Sequence, residues 1–233
     1  MRTYEVIIGE MANMYSRKYP LTDGEVYHVF TRSIAGFKIC NNDFEFLRMK
    51  DAIRYYQNKK PALKFSDFLR SRGNQKYADR GPNLRSEQLV NIIAFCLMPT
   101  HMHLLVKQLT DNGTSIFMSN VLNSYTRYFN IKYKRKGPLW EGRFKNVLVQ
   151  TNEQILHLTR YLHLNPVTAY LVDKPEEWLA SSYQEYISTV EESEKVCQYD
   201  ELIDIDPLQY KSFLLDRLDY QRNLGKIKKL IIE

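Results

Sequence analysis

Hydrophobic and polar positions along the chain change period several times, and each change marks an element. From Glu25 to Arg32 the run EVYHVFTR alternates and is rich in β-formers, which predicts a first strand. After the turn-like Ile34-Ala35-Gly36, NNDFEFLRMKDAIRYYQNKK opens on Asn42 as a cap with Glu45 three residues on. Its apolar positions Phe46, Met49, Ile53 and Tyr56 recur at helical spacing. Pro61 to Glu87 is polar and basic and reads as a long loop with a short helix near Phe65 to Leu69. A strand pair follows at about Leu89 to Lys107, folded back around Met98-Pro99-Thr100, and Gly113 punctuates its end. Thr114 to Lys132 presents Phe117, Val121, Leu122, Tyr125, Tyr128 and Phe129 on one broad face and predicts a second helix. Gly137-Pro138 closes it, and Phe144 to Gln150 reads as a fourth strand. Thr151 with Gln154 three residues later has capping-box spacing, so a third helix runs from there to Asn165-Pro166.

The order is strand, helix, strand, strand, helix, strand, helix. It predicts an α+β chain of the ferredoxin-like, split βαβ kind, an antiparallel sheet with helices packed on one face plus a C-terminal helical extension. In this topology the last helix can lie against the sheet face to which His101 and His103 point. The expected divisions are a lead-in at 1–23, a main domain at 24–172, and an extension at 173–233 made of an acidic loop and a basic helical tail.

Composition sharpens this outline. The 233 residues are 44% hydrophobic and 13% aromatic, enough for a sizeable core. No stretch approaches the roughly 20 apolar residues of a membrane span, so the expectation is a soluble cytoplasmic chain, nucleoid-associated when bound to DNA. Cys40, Cys96 and Cys197 lack CxxC spacing and suit reduced, structural thiols. The net charge of +6 conceals an uneven distribution: residues 1–172 carry 25 Lys and Arg against 13 Asp and Glu (+12), residues 173–206 carry 2 against 11 (−9), and residues 207–233 carry 6 against 3 (+3). A basic body suggests a polyanionic partner.

Candidate chemistry gathers on the second strand of the hairpin and on the third helix. His101 and His103 share a strand face while Met102, Leu104 and Val106 point the other way, which makes the imidazole pair a metal clamp. Tyr161 and Asn165 are four residues apart on a helix and stack beside an apolar stripe of Ile155, Leu158 and Leu162. Imidazoles and an amide oxygen holding a divalent ion, with a phenol as nucleophile, would attack a phosphodiester. Lys132, Lys134, Arg135, Lys136, Arg143 and Lys145, interleaved with Tyr133, Trp140 and Phe144, offer cations for phosphates and rings for unpaired bases. Trp140 also suits the core, and the Lys211 to Lys229 tail suits either a second basic contact or a packed amphipathic helix. His28 and His163 read as structural or supporting residues, and His157 is left unassigned.

His101-Met102-His103 in PTHMHLLV resembles the HUH signature of single-tyrosine transposases. GPLWEGRFK (137–145), YLHLNPV (161–167) and WLASSY (178–183) resemble stretches of the REP-associated tyrosine transposase branch, so the likeness spans about residues 24 to 187. It implies His101 and His103 as the metal pair, Tyr161 as catalytic tyrosine and Asn165 as third ligand, where insertion-sequence relatives typically place a glutamine. It implies Mg²⁺ or Mn²⁺, single-stranded or hairpin-forming DNA as partner, a 5′-phosphotyrosine intermediate, no nucleotide cofactor, and a monomer or homodimer. The residues leave two alternatives: a non-catalytic binding module for structured DNA or RNA, and a metal-dependent phosphodiesterase with water as nucleophile.

Overall fold

The computed structural model describes residues 20–61, 63–71 and 87–218. Most of the lead-in, the larger part of the 61–87 loop, and the end of the tail with Lys226, Lys228 and Lys229 lie outside the described residues. The long elements are β1 (Val26–Arg32), α1 (Asp43–Tyr56), α2 (Phe65–Ser71), β2 (Val90–Leu97), β3 (His101–Gln108), α3 (Gly113–Lys132), β4 (Lys145–Val149) and α4 (Asn152–Thr168). The four strands form one antiparallel sheet in the order β2-β3-β1-β4, the split βαβ arrangement expected from the element order.

Caps start the helices where the side chains dictate. Asn42 accepts from the Glu45 backbone at 3.2 Å and Thr151 from that of Gln154 at 3.1 Å, satisfying donors that the first turn leaves open. At Gly113, where α3 starts, only glycine fits, because a Cβ there would meet the Leu89 carbonyl oxygen at 2.3 Å. The expected stop at Pro166 is overrun: α4 continues to Thr168. Pro166 has no N–H to bond the Leu162 carbonyl, and the helix ends two residues later.

Side-chain alternation divides the sheet into two faces. Tyr27 and Val29 of β1 with Met102, Leu104 and Val106 of β3 enter a core completed by Met49 and Ile53 of α1 and Phe117, Val121 and Tyr125 of α3. Val26, Cys96 and Leu105 face the other way, against Ile155 and Leu162 of α4. Thus α1 and α3 share one face and α4 takes the His-bearing face, so the expected packing of helices on one face only is corrected: α4 has its own apolar stripe, which buries Ile155 and Leu162 against the opposite side of the sheet.

The extension covers an edge. Backbone bonds join Leu97 to Ala180, Ser182 to Phe95 and Gln198 to Ile92, each at 2.8–2.9 Å, so the segment runs along β2 and occupies its unpaired edge. Among the described residues it carries two short α-helices, α5 (Tyr183–Tyr186) and α6 (Pro207–Leu215). His163 of α4 ties both in: its Nδ1 lies 2.6 Å from the Tyr210 hydroxyl and its Nε2 2.7 Å from Ser182 Oγ. The three cysteines are free and buried. Among the described residues, no helix is long and apolar enough to cross a membrane.

Candidate active site

Strand register assembles the site. Cys96 pairs with His103, His103 with Phe30, and Phe30 with Lys145, a row crossing all four strands on one face. One step along, Arg32 pairs with His101. These side chains open into a cleft of about 530 Å³ lined by Phe30, Arg32, His101, His103, Arg143, Lys145 and Tyr161, among others. Tyr161 comes from α4, with its ring 5.9 Å from His103, centroid to centroid, and edge-on. It is 38% exposed, so the phenol is accessible to a ligand in the cleft.

Each imidazole of the pair has one nitrogen engaged. His101 Nδ1 lies 3.0 Å from Thr100 Oγ1, and His103 Nδ1 lies 3.0 Å from Nε2 of His28. Burial pushes the His103 pKa down to about 3, helped by His28, His101 and Arg32; burial and then Arg32 lower His101, and burial takes His28 to about 4. At neutral pH all three rings are neutral, the form that ligates metals. The Nε2 atoms of His101 and His103 can act as metal ligands when each ring carries its proton on Nδ1. Burial, with Cys96 behind it, raises the Tyr161 pKa, so the resting phenol is protonated.

Asn165 sits one turn beyond Tyr161, outside the cleft lining. Its Nδ2 is buried without a hydrogen-bond partner among the described residues. Those residues contain no cluster of three or more His, Cys, Asp or Glu side chains suited to a metal. The donor set that fits a divalent ion here is two neutral imidazoles, with room for oxygen donors from an amide or a phosphate.

The basic candidates divide. Arg143 and Lys145 are exposed and line the cleft. Lys134 and Lys136 are exposed on the turn after α3, outside the cleft lining. Arg135 is occupied within that turn, donating to Asn130 at 3.1 Å and to the Pro138 carbonyl at 2.7 Å, with its guanidinium over Phe37. Trp140 is half-buried and turned inward, its indole donating to Thr126 at 3.0 Å. His157 is exposed on α4 and contacts Arg160. Sequence reasoning did not single out Arg32 or Phe30 and gave His28 no specific role. The signal available was the alternation of β1, which puts His28, Phe30 and Arg32 on one face.

Comparison with known proteins addresses the family directly. Residues 67–165 match the IS200-like transposase family. The matched stretch contains His101, His103, Tyr161 and Asn165, and it stops short of β1 and the extension. The likeness to single-tyrosine transposases is thereby borne out. A Haemophilus influenzae protein, itself provisionally assigned as a REP-associated tyrosine transposase, is 28% identical over 102 residues, covering 39% of this chain and 57% of that relative. The match thus spans little more than half the relative's length. A solved REP-associated tyrosine transposase bound to a REP hairpin superimposes with a TM-score of 0.49 at 14% identity, over 82% of this chain and 99% of the other.

Proposed function

We propose that the protein is a DNA nicking and rejoining enzyme of transposase type, acting on single-stranded, hairpin-forming DNA through Tyr161. The observation that carries this reading is the meeting of Tyr161 with His101 and His103 in one cleft walled by Arg32, Arg143 and Lys145. A protonated phenol is a poor nucleophile, and three cations against one carboxylate, Glu141, leave the concave site net positive, which suits a phosphodiester.

In this reading Arg32, Arg143 and Lys145 grip phosphate oxygens and set the strand across the cleft. His101 and His103 would hold a divalent ion, Mg²⁺ or Mn²⁺, with Asn165, which lies outside the cleft lining, as its expected third ligand. Such an ion supplies Lewis acidity, neutralising charge on the scissile phosphate. The Tyr161 oxygen attacks phosphorus, its proton passes to solvent, and the bond to the 3′ oxygen breaks. The departing oxygen takes up a proton and becomes a 3′-hydroxyl, while the phosphate stays on Tyr161 as a 5′-phosphotyrosine ester. Attack by a 3′-hydroxyl reverses the step and rejoins the strand without a nucleotide cofactor. Tyr161 lines the same cleft as His101 and His103 of its own chain, which supports a site complete within a monomer.

The test is incubation of the protein with labelled single-stranded hairpin DNA and Mn²⁺ or Mg²⁺, beside Tyr161→Phe and a chelator control. A denaturant-resistant adduct that needs both the tyrosine and the metal is the expected result. Cleavage without adduct identifies water as nucleophile, and binding with neither reduces the protein to a recognition module.

A further inference from the structure

We infer that His28 is a positioning residue that sets the tautomer and orientation of His103 for metal binding, an inference that rests on the reading of His101 and His103 as metal ligands. His28 occupies β1, outside the 67–165 stretch that matches the family. Its backbone partner on β3 is Leu105, two residues beyond His103, so the two imidazoles are diagonal neighbours on one sheet face. Their rings are nearly parallel, at 21° with centroids 5.2 Å apart, and Nε2 of His28 meets Nδ1 of His103 at 3.0 Å. Phe30 lies against both, 5.2 Å from His28 and 6.0 Å from His103.

That contact needs one hydrogen between two nitrogens, and the position of the hydrogen decides what His103 can do. With the proton on His103 Nδ1, donated to His28, the lone pair of His103 is at Nε2. The proton of His28 is then on its own Nδ1. With the proton on His28 Nε2, His103 would carry its hydrogen on Nε2 and could not ligate through that atom. A metal-ligating histidine usually donates its second N–H to a carboxylate, carbonyl or water that holds the ring. Here a neutral imidazole does this, orienting His103 without adding negative charge beside a DNA phosphate. His101 is held differently, by Thr100 at the turn.

The experiment measures Mn²⁺ binding by the metal-free full chain without DNA, from the electron paramagnetic resonance signal of free Mn²⁺. Wild type is compared with His103→Ala, His28→Phe and His28→Gln. Phenylalanine keeps the ring against Phe30 and removes the acceptor, whereas the Gln Oε1 can stand where Nε2 stood. His28→Phe is expected to weaken Mn²⁺ binding about 10- to 100-fold, and His28→Gln to recover most of it. Nitrogen-15 spectra of the metal-free proteins should show His103 as the Nδ1–H tautomer in wild type and His28→Gln, and lose that preference in His28→Phe. Equal affinity in wild type and His28→Phe overturns the inference. So does a His28→Gln protein that binds as weakly as His103→Ala, a result that decides the matter even where the phenylalanine variant fails to fold.

Adduct formation is scored in parallel at saturating Mn²⁺. Weakened Mn²⁺ binding in His28→Phe, with no adduct in any protein, leaves the inference standing and removes the proposed reaction. Adduct formation with unchanged Mn²⁺ affinity in His28→Phe removes the inference and leaves the reaction.

Discussion

Replacing His163 with leucine removes the joint between the tyrosine-bearing helix and the extension, and its cost should depend on pH in a specific way. His163 is fully buried and makes two short hydrogen bonds, to Tyr210 at 2.6 Å and to Ser182 at 2.7 Å. Neither partner is orphaned by the change, because Tyr210 still donates to Thr159 at 3.0 Å and Ser182 Oγ still accepts from the Phe95 backbone at 2.9 Å. Two such bonds are worth about 1–3 kcal/mol together, so His163→Leu should be less stable by that amount at pH 7.5. Burial also holds the His163 pKa down at about 3, whereas a solvated histidine titrates near 6.5. Between those values the unfolded chain binds a proton that the folded chain refuses. The stability from the neutral ring is therefore complete above about pH 6.5 and lost as pH falls toward 3. At pH 5 the wild type has given up about 2 kcal/mol through this residue, a penalty that leucine does not pay. Urea unfolding at pH 7.5, 6.5, 5.5 and 5.0 should show the two proteins converging as the solution is acidified. A stability gap that stays constant across this range would refute the reasoning.

Other perturbations have equally definite outcomes. Tyr161→Phe should unfold at the wild-type urea midpoint, because the residue is 38% exposed and lines the cleft, yet form no adduct with DNA. Removing Arg143 or Lys145 by alanine should reduce the slope of log binding constant against log salt by about 0.7 per cation for a single-stranded ligand, with little change in the melting temperature. Gly113→Ala should cost about 1–3 kcal/mol in urea unfolding, since its Cβ meets the Leu89 carbonyl at 2.3 Å and backbone must move. Glu45 is buried and bonded to Lys132 at 2.7 Å and Tyr133 at 2.6 Å; burial raises its pKa, but these bonds and those from Asn41 outweigh it and hold the carboxyl below the usual range. Glu45→Ala should destabilise by about 1–3 kcal/mol at pH 7, and less at pH 3, because this stability is lost as pH falls below the ordinary carboxylate range toward the lowered folded-state value.

What the chain disclosed in advance is what local chemistry writes into it. The caps at Asn42 and Thr151 and the inward stripe of α3 follow from side chains acting within a few residues, and both histidines of β3 alternate onto one face as a strand requires. The role of His28 was not legible, because its contact with His103 depends on the register of two strands more than 70 residues apart. The extension read as an acidic surface loop, yet it caps the β2 edge through backbone bonds, which leave no side-chain signature. Arg135 and Arg143 look alike in a list of charges; one holds a turn and the other faces the cleft, a difference made by the fold around Gly137-Pro138. Tyr161 and Asn165 were legible as helical neighbours, but the entry of one into the cleft lining and not the other follows from how α4 rests on the sheet.

The central claim is that Tyr161 takes the phosphate of a cut strand. Mass spectrometry of protein incubated with single-stranded hairpin DNA and Mn²⁺, digested with nuclease and trypsin, tests it at the residue itself. Cleavage after Arg160 leaves a peptide that begins with Tyr161, and the account predicts that this peptide carries the added mass of a 5′-linked nucleotide on its first residue. An unmodified Tyr161 peptide alongside cut DNA, or a nucleotide attached to any other tyrosine, would contradict it.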